Sequence, residues 1–142
     1  LADGTRLRPR STSPSVELRV VSDAYFRTLG LALRGGRGFD AGDAPGGAPV
    51  AIASERLARE LWKGANPLGR ELRIGARGTP LTVVGVASDH REPRFGRPGV
   101  VDAVPVLYLS ERQALGFHEE LLVRARGEPA ALRAAIVGAA RT

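Results

Sequence analysis

Short strand-like runs alternate with short helix-like runs along this chain, and the alternation limits the folds open to it. Residues 16–29, 49–63 and 120–140 each read as a strand, a capping residue and an amphipathic helix. These units differ from one another in sequence, which argues against a repeat solenoid. We predict an α+β fold. It would be a mixed sheet of short strands with about three helices in split βαβ-like units and a β-hairpin, in one body or two small lobes.

The unit at 49–63 carries the clearest helix signals. Ser54 follows the buried-type strand 49–53 and is placed to cap a helix that ends at Gly64, with Lys63 in its last turn. The apolar residues recur at i+3 and i+4 spacings; they are Leu57, Ala58, Leu61 and Trp62. Two oppositely charged pairs at i, i+4 are predicted on the outer face; they are Glu55–Arg59 and Arg56–Glu60.

A corner follows this helix. Asn66 and Gly69 flank Pro67 in the positions of a type I turn, and the turn leads into a strand over 71–74. The next strand, 81–89, is predicted to form an antiparallel hairpin with it, with a bulge at Gly85.

The remaining elements are predicted from the same kinds of signal. Strand 16–21 leads into a helix capped by Ser22, with Asp23 in its first turn and Gly30 at its end. Tyr25, Phe26 and Leu29 share one face of that helix. Further strands are predicted at 31–34, 105–110 and 120–125, loops at 35–49 and 90–104, and a last helix beginning at Pro129.

Composition bounds the class of protein. The chain has 142 residues, enough for one domain, with 43% hydrophobic and 25% charged residues, and it has no cysteine. Its net charge of +6 comes almost wholly from arginine, because Lys63 is the one lysine. Such a charge reflects either coding bias or attraction to anionic surfaces. We expect residues 1–15 to be a flexible tail or cut connection and 16–142 to be the domain, as a piece of a longer protein.

Three stretches together resemble a known family. They are "VSDAYFRTLGLALRGGRGFDAGD", "PVAIASERLARELWKGANPLGRELRI" and "LTVVGVASD". Their order and spacing are similar to the extracytoplasmic core domain of MacB-type ABC transporter permeases, a domain that also occurs in the wider FtsX-like family. The matching positions are Tyr25, Phe26, Gly30, Gly36, Arg37, Phe39, Asp43, Asn66, Pro67, Gly69, Val84, Gly85 and Val86. The strand and helix with which the family's domain usually begins, and its flanking membrane helices, are not in this sequence.

The resemblance implies a mechanical role without catalysis or cofactor. Such domains lie in the periplasm, on inner-membrane permeases that sit as dimers beside a cytoplasmic ATPase. They move as the ATPase cycles, and they engage a periplasmic adaptor, a substrate or an enzyme to be activated. The implied partners are therefore the transmembrane part of the permease, the ATPase and an adaptor. The corner at 64–71 would then be a stiff connection between a helix–strand lobe and a hairpin lobe.

Three stretches contain residue types that could carry chemistry. His90 lies between Asp89 and Glu92, and two carboxylates and one imidazole could ligate a cation, although a solvated loop after a strand is the simpler interpretation. His118 precedes Glu119 and Glu120, but this cluster lacks the two histidines at i, i+4 of a zinc helix and is expected to lie on the surface. The glycine-rich loop lacks the Gly-Lys-Ser/Thr of a phosphate-binding loop. Instead, we predict that Arg37 pairs with Asp40 or Asp43 to tie this loop while Phe39 enters the core.

Two alternatives from other classes remain at this level. A basic nucleic-acid-binding domain would need exposed aromatic residues beside clustered cations, whereas Tyr25, Phe26, Trp62 and Tyr108 fall on apolar patterns. A small-ligand-binding domain would need a pocket. A basic tail near a bilayer would also suit an anionic membrane surface; its arginines are Arg6, Arg8 and Arg10.

Overall fold

Nine strands and two helices make up the part of the chain described by the computed structural model, namely residues 5–7, 16–74, 78–93 and 101–114. The elements, in chain order, are β1 (Thr5–Leu7), β2 (Glu17–Val21), α1 (Tyr25–Leu29), β3 (Leu33–Gly36), β4 (Val50–Ser54), α2 (Glu55–Trp62), β5 (Glu71–Ile74), β6 (Pro80–Ala87), β7 (Arg91–Pro93), β8 (Val101–Ala103) and β9 (Val106–Ser110).

Seven strands form one mixed sheet in the order β1-β5-β6-β4-β9-β2, and β3 pairs with β6 beside this path. The central strand β4 runs parallel to β6 and antiparallel to β9. Every residue of β4 is buried, which explains why Val50–Ala53 are all apolar, because a strand covered on both faces has no polar side. The α+β fold with a mixed sheet is therefore confirmed.

The predicted hairpin is confirmed, but it is not a second lobe. β5 and β6 pair antiparallel, with Glu71 opposite Thr82 and Leu72 opposite Leu81. β6 is long enough to pair also with β4 and β3. The hairpin is thus built into the main sheet. The bulge predicted in this hairpin at Gly85 is displaced by one residue and lies in the pairing with β4: Ala51 faces Val83 and Ile52 faces Gly85, so Val84 is the extra residue.

Helix α2 follows its sequence signals closely. The Ser54 hydroxyl accepts a hydrogen bond from the Leu57 amide, as predicted for the cap, and it also accepts one from the Val106 amide of β9. Leu57 and Trp62 are buried. The predicted end at Gly64 is wrong by one residue, because Lys63 itself takes the left-handed conformation, with φ of 47°. Its amide still bonds back to the Arg59 carbonyl and closes the helix.

One of the two predicted ion pairs on α2 forms. Arg56 Nε lies 2.9 Å from Glu60 Oε1. The predicted Glu55–Arg59 pair is replaced by contacts to other elements: Arg59 lies 2.9 Å from Asp89 Oδ2, and Glu55 lies 3.8 Å from Arg34. The spacing rule for helices considers only residues of the same helix, so it could not predict pairing with Asp89 after β6 or with Arg34 in β3.

Helix α1 is shorter and starts later than predicted. It begins after Ala24, which makes no side-chain cap, whereas the carbonyl of Ser22 accepts the Tyr25 amide at 3.1 Å. Asp23 turns away from the helix and pairs with Arg112 at 2.8 Å. The predicted end is confirmed, since Gly30 takes the left-handed conformation with φ of 69°. A single turn placed by tertiary contacts needs no cap of its own.

The side chains of β4 and β9 point alternately to the two faces of the sheet and contribute to a separate hydrophobic core on each face. The α1 face holds an aromatic cluster; its buried members include Tyr25, Phe26, Phe39, Ile52 and Tyr108. The α2 face holds an aliphatic cluster around a tryptophan; its members include Ala53, Leu57, Trp62, Leu72, Val83 and Leu107. The domain is therefore a sheet with a helix and a core on either side.

One tail prediction, one loop prediction and the bounds of one strand are corrected. Residues 5–7, inside the predicted tail 1–15, pair with β5 as strand β1. The predicted loop 90–104 contains the antiparallel pair β7–β8. The strand predicted at 31–34 lies at Leu33–Gly36. The predicted strand 120–125, the helix from Pro129 and the His118 cluster lie outside the described residues. Within the described ranges, neither helix has the length and hydrophobicity to cross a bilayer.

Candidate functional site

The residues singled out by the sequence motifs meet where β3 crosses the irregular part of β6. Gly36 and Gly85 are register partners in this antiparallel pair. Gly36 has a φ of 68°, and a Cβ atom there would collide with the carbonyl oxygen of Val84. A Cβ at Gly85 would collide with the Arg37 carbonyl oxygen. The two strands approach this closely because neither residue has a side chain.

The corner after α2 is attached to the same part of β6. Gly69 donates its amide to the Val83 carbonyl at 2.8 Å, and Val83 donates to the Arg70 carbonyl at 2.9 Å. The Asn66 side chain accepts the Leu68 amide at 3.0 Å, which fixes the start of the corner. These bonds place the corner beside the Val83–Gly85 irregularity.

The predicted type I turn over Asn66–Gly69 is shifted by one residue. The closing bond runs from the Arg70 amide to the Pro67 carbonyl at 3.1 Å, so Gly69 occupies the third position, with φ of 77°. That position requires positive φ in a type II turn and explains the glycine. The bonds to β6 outweigh the local preference of an Asn-Pro sequence.

Leu68 covers the glycine contact. A Cβ atom at Gly36 would lie 2.8 Å from Leu68 Cδ2, and one at Gly35 would lie 3.7 Å from Leu68 Cδ1. Leu68 therefore lies directly against the backbone of β3. This residue was missed at the sequence level because the variable position of an Asn-Pro-x-Gly pattern gives no signal of what it contacts.

An arginine–carboxylate pair holds the chain after β3, as predicted for Arg37. The guanidinium donates to both Asp43 oxygens, Nη2 to Oδ1 at 2.8 Å and Nη1 to Oδ2 at 2.9 Å. Asp43 is 4% exposed, and it also accepts the Asp40 amide at 3.0 Å. Of the two candidate carboxylates, Asp43 is thus the main partner. Exposed Asp40 makes a single contact to Arg37, at 3.2 Å.

The two charges stabilise each other. The hydrogen bond from Arg37 lowers the pKa of the Asp43 carboxyl below its ordinary value, against the opposing effect of burial. The same bond raises the pKa of the Arg37 guanidinium. We call this pair, together with the backbone of residues 37–43, the clasp.

Phe39 lies within the clasp and enters the core on the α1 face, as predicted. Its ring centroid is 6.4 Å from that of Phe26, which in turn lies 4.9 Å from Tyr108 in an edge-on arrangement. Tyr25 completes the cluster, 5.4 Å from Phe26. Burial raises the pKa of the Tyr108 hydroxyl far above its ordinary value. The clasp is thereby joined to helix α1 through tilted and edge-on ring contacts.

Most predicted motif residues share this junction, which we call the β3–β6 joint. It consists of Gly36, Arg37, Phe39, Asp43, Asn66, Pro67, Leu68, Gly69, Val84 and Gly85. Phe26 contacts it through Phe39, Tyr25 contacts Phe26, and Gly30 ends the helix that carries both. Trp62 belongs to the opposite core and is not part of it. Val86 lies in the groove next to the joint.

That groove, of about 270 Å³, runs between α2, the edge of β3 and the corner. Its floor is apolar, with Ala58, Pro67, Leu68 and Val86, and its rim carries Arg34, Glu55 and Arg59. The rim charges already contact acidic or basic neighbours. The groove therefore does not carry the small-ligand hypothesis.

One of the three cation ligands suggested around His90, Asp89, is bonded to helix α2 instead. The Asp89 carboxylate accepts the Arg56 amide at 2.7 Å and pairs with Arg59. Asp89 thus acts as a second cap, a role hidden from the sequence because it lies 33 residues from its donor. Among the described residues, no three His, Asp or Glu side chains are grouped as a metal site would require.

The five aromatic residues in the described ranges are buried, which bears on nucleic-acid binding. They are Tyr25, Phe26, Phe39, Trp62 and Tyr108. Binding of single strands depends on exposed rings that stack on bases. The nucleic-acid hypothesis therefore has no support in this part of the chain. What the joint offers chemically is a set of charged and backbone bonds between loops, suited to holding geometry.

Part of the chain is similar in sequence to export proteins that combine an ATP-binding part and a permease part. The macrolide export ATP-binding/permease protein MacB of Neisseria gonorrhoeae is 33% identical over 100 residues, or 70% of this chain. The probable syringafactin export ATP-binding/permease protein SyfD of Pseudomonas syringae pv. tomato is 35% identical over 86 residues, or 60% of it. The matched region makes up 15% of the first protein and 13% of the second.

A solved structure shares the fold. The periplasmic region of MacB from Actinobacillus actinomycetemcomitans superposes with a TM-score of 0.63 at 18% identity, over 87% of this chain and 55% of that one. The sequence profile of the MacB-like periplasmic core domain matches residues 2–139. Because that match spans nearly the whole chain, the chain belongs to the family of MacB-like periplasmic core domains.

Proposed function

We propose that this chain is the extracytoplasmic core domain of an ABC transporter permease and that it couples ATPase-driven conformational change to the handling of a partner or substrate. The observation that carries the proposal is the family match over residues 2–139. Relatives that contain this region are named ATP-binding/permease proteins for export. ATP hydrolysis then belongs to another domain or subunit, and this domain is not catalytic.

The β3–β6 joint supports the mechanical part of the proposal. It fastens β3 to β6 at a contact that no other residue pair permits, because both Gly36 and Gly85 exclude a Cβ. The clasp and the corner hold that contact from two distant parts of the sequence. Force applied to one element would reach the others with little loss, because packed interiors have low compressibility.

The proposed partners follow from this placement. They are the transmembrane part of the permease, its cytoplasmic ATPase, a second copy of the permease and a periplasmic adaptor. An anionic membrane surface is a further partner, supported by the net charge of +6. We expect the chain to bind vesicles containing anionic lipid at low salt and to leave neutral vesicles unbound. Equal binding to both, or to neither, would contradict the electrostatic version.

The coupling proposal is tested in the full-length transporter with Arg37→Ala. This variant disrupts the clasp and changes no residue of the proposed ATPase. A macrolide serves as the probe, since several relatives carry that name. We expect ATP hydrolysis within about twofold of wild type and export reduced at least about tenfold, because hydrolysis no longer drives the domain.

Arg56→Ala provides the matched control, since it removes an exposed arginine pair on α2 without touching the joint. It should leave both activities unchanged. Export at the wild-type rate by the Arg37→Ala transporter would overturn coupling through the joint. A full-length protein without membrane spans of about 20 apolar residues would overturn the permease assignment itself.

A further inference from the structure

The four residues after β9, Glu111–Ala114, contact three separate parts of the domain, and we call them the exit turn. The Glu111 amide donates to the Val21 carbonyl at 3.0 Å. The Arg112 guanidinium pairs with Asp23 at 2.8 Å, and that bond raises the pKa of the guanidinium. The Gln113 and Ala114 amides both return to the Ser110 carbonyl. The turn is thus fixed to β2 and to the chain before α1.

Gln113 extends from this turn to the second half of the glycine-rich loop. Its Oε1 accepts the Val50 amide at 3.0 Å. Its Nε2 donates to the Ala48 carbonyl at 3.0 Å and to the Ala44 carbonyl at 3.4 Å. Both ends of the amide are therefore used. The side chain replaces the backbone partner that a neighbouring strand would otherwise supply.

Little else in the described part of the chain holds residues 44–48. They are all exposed, and one internal bond, from the Gly47 amide to the Ala44 carbonyl at 3.1 Å, closes their turn. A Cβ atom at Gly46 would have no neighbour within 4 Å, so nothing packs above the turn. Segments with few buried contacts open locally at low free energy. The three bonds of Gln113 are then the main restraint on this segment.

We propose that the exit turn is a latch, in which displacement of Gln113 releases residues 44–48, whereas Pro49 stays bonded to the Thr82 amide of β6. The chain continues from Ala114 into residues 115–142, so a shift of that continuing segment would move Gln113 directly. The surface loop thereby responds to the position of the chain leaving the sheet. This inference rests on the proposed function, in which the domain moves during the transport cycle.

The first test is hydrogen exchange on this chain, comparing Gln113→Ala with wild type. Peptides covering residues 44–50 should exchange about five- to tenfold faster in the variant, the factor expected when an ordinary hydrogen bond is lost. Gln113→Glu should lie between the two, because a carboxylate keeps the acceptor for the Val50 amide but loses both donors. Glu111→Ala is the matched control on the same turn and should exchange at the wild-type rate.

Unchanged exchange in Gln113→Ala, or equal acceleration in Glu111→Ala, would overturn the latch. Cooperative unfolding is separated from latch opening by peptides of β6, which should keep their protection in both variants.

The second test uses the full-length transporter in nucleotide-free and ATP-bound states. Exchange of residues 44–50 should differ between the states in wild type, and in Gln113→Ala it should be fast in both. Equal exchange rates of residues 44–50 in the two states of the wild type would refute the proposal that this loop responds to the segment after Ala114. Export measured with Arg37→Ala stands apart from this result, so failure of the latch and failure of the proposed function are distinguishable.

Discussion

The two halves of the glycine-rich loop contain two glycines each but are attached to the domain in different ways. Residues 37–43 are held by a buried carboxylate with two bonds from Arg37 and by a phenylalanine in the aromatic core. Residues 44–48 have neither, and they rely on the side-chain amide of Gln113. The comparison teaches that glycine content does not determine how firmly a loop is held. The groups that contact its backbone do.

The largest expected effect separates two glycines of this region that share a positive φ. Gly36→Ala should destabilise the domain by at least about 3 kcal/mol, because its Cβ collides with the backbone of β6 in addition to the left-handed strain. Gly46→Ala, whose Cβ meets nothing, should cost about 1–2 kcal/mol. Urea unfolding of both variants measures the difference. Equal costs would show that the close approach of β3 to β6 is not what requires glycine.

The next effect concerns the clasp. Arg37→Ala and Asp43→Ala should each cost about 1–3 kcal/mol, the range for hydrogen bonds to charged groups. The double variant should cost less than their sum, because either single change already breaks the pair. Asp40→Ala is the control, since it loses one exposed contact to Arg37 and the exposed hydrogen bond from the Gly42 amide, and it should cost about 1 kcal/mol. Simple additivity of Arg37→Ala and Asp43→Ala would contradict the pairing.

The smallest expected effect is the pH dependence of the same pair. The folded-state pKa of Asp43 is lowered by Arg37, so its contribution to stability is fully present above the ordinary carboxyl pKa of about 4. The contribution is lost as pH falls through the lower folded-state value. The stability gap between wild type and Asp43→Asn should therefore be constant from about pH 5 to 8 and shrink near pH 3. A stability gap that stays constant down to pH 3 would show that folding does not lower the pKa of Asp43.

The parts of the fold that local signals determine were predictable from the sequence. Ser54 caps α2, Gly30 ends α1, and the β5–β6 hairpin forms where the turn residues indicated. The pairing of Arg37 was predictable because a glycine-rich loop needs side-chain bonds to hold its conformation, and two carboxylates, Asp40 and Asp43, follow Arg37 closely in the sequence. Which carboxylate it used was not, because burial of Asp43 depends on the folded core.

The errors have a common physical origin in contacts between residues distant in sequence. Ser22 lost its predicted role because Asp23 and Tyr25 are positioned by Arg112 and by the aromatic core. The turn at Pro67 moved by one residue to bond with β6. Gln113 lies 63 residues from the amide it binds, and no periodicity or motif points to it. Such partners become apparent only when the sheet order is known.

The central claim is that the β3–β6 joint stays intact while the domain transmits motion. Hydrogen exchange of the full-length transporter, with and without ATP, tests it most directly through peptides covering residues 33–43, 66–70 and 81–88. We predict the same strong protection of these peptides in both states, with any change confined to segments such as 44–50. Loss of protection across the joint on ATP binding would contradict the account, because the joint would then be deforming rather than transmitting.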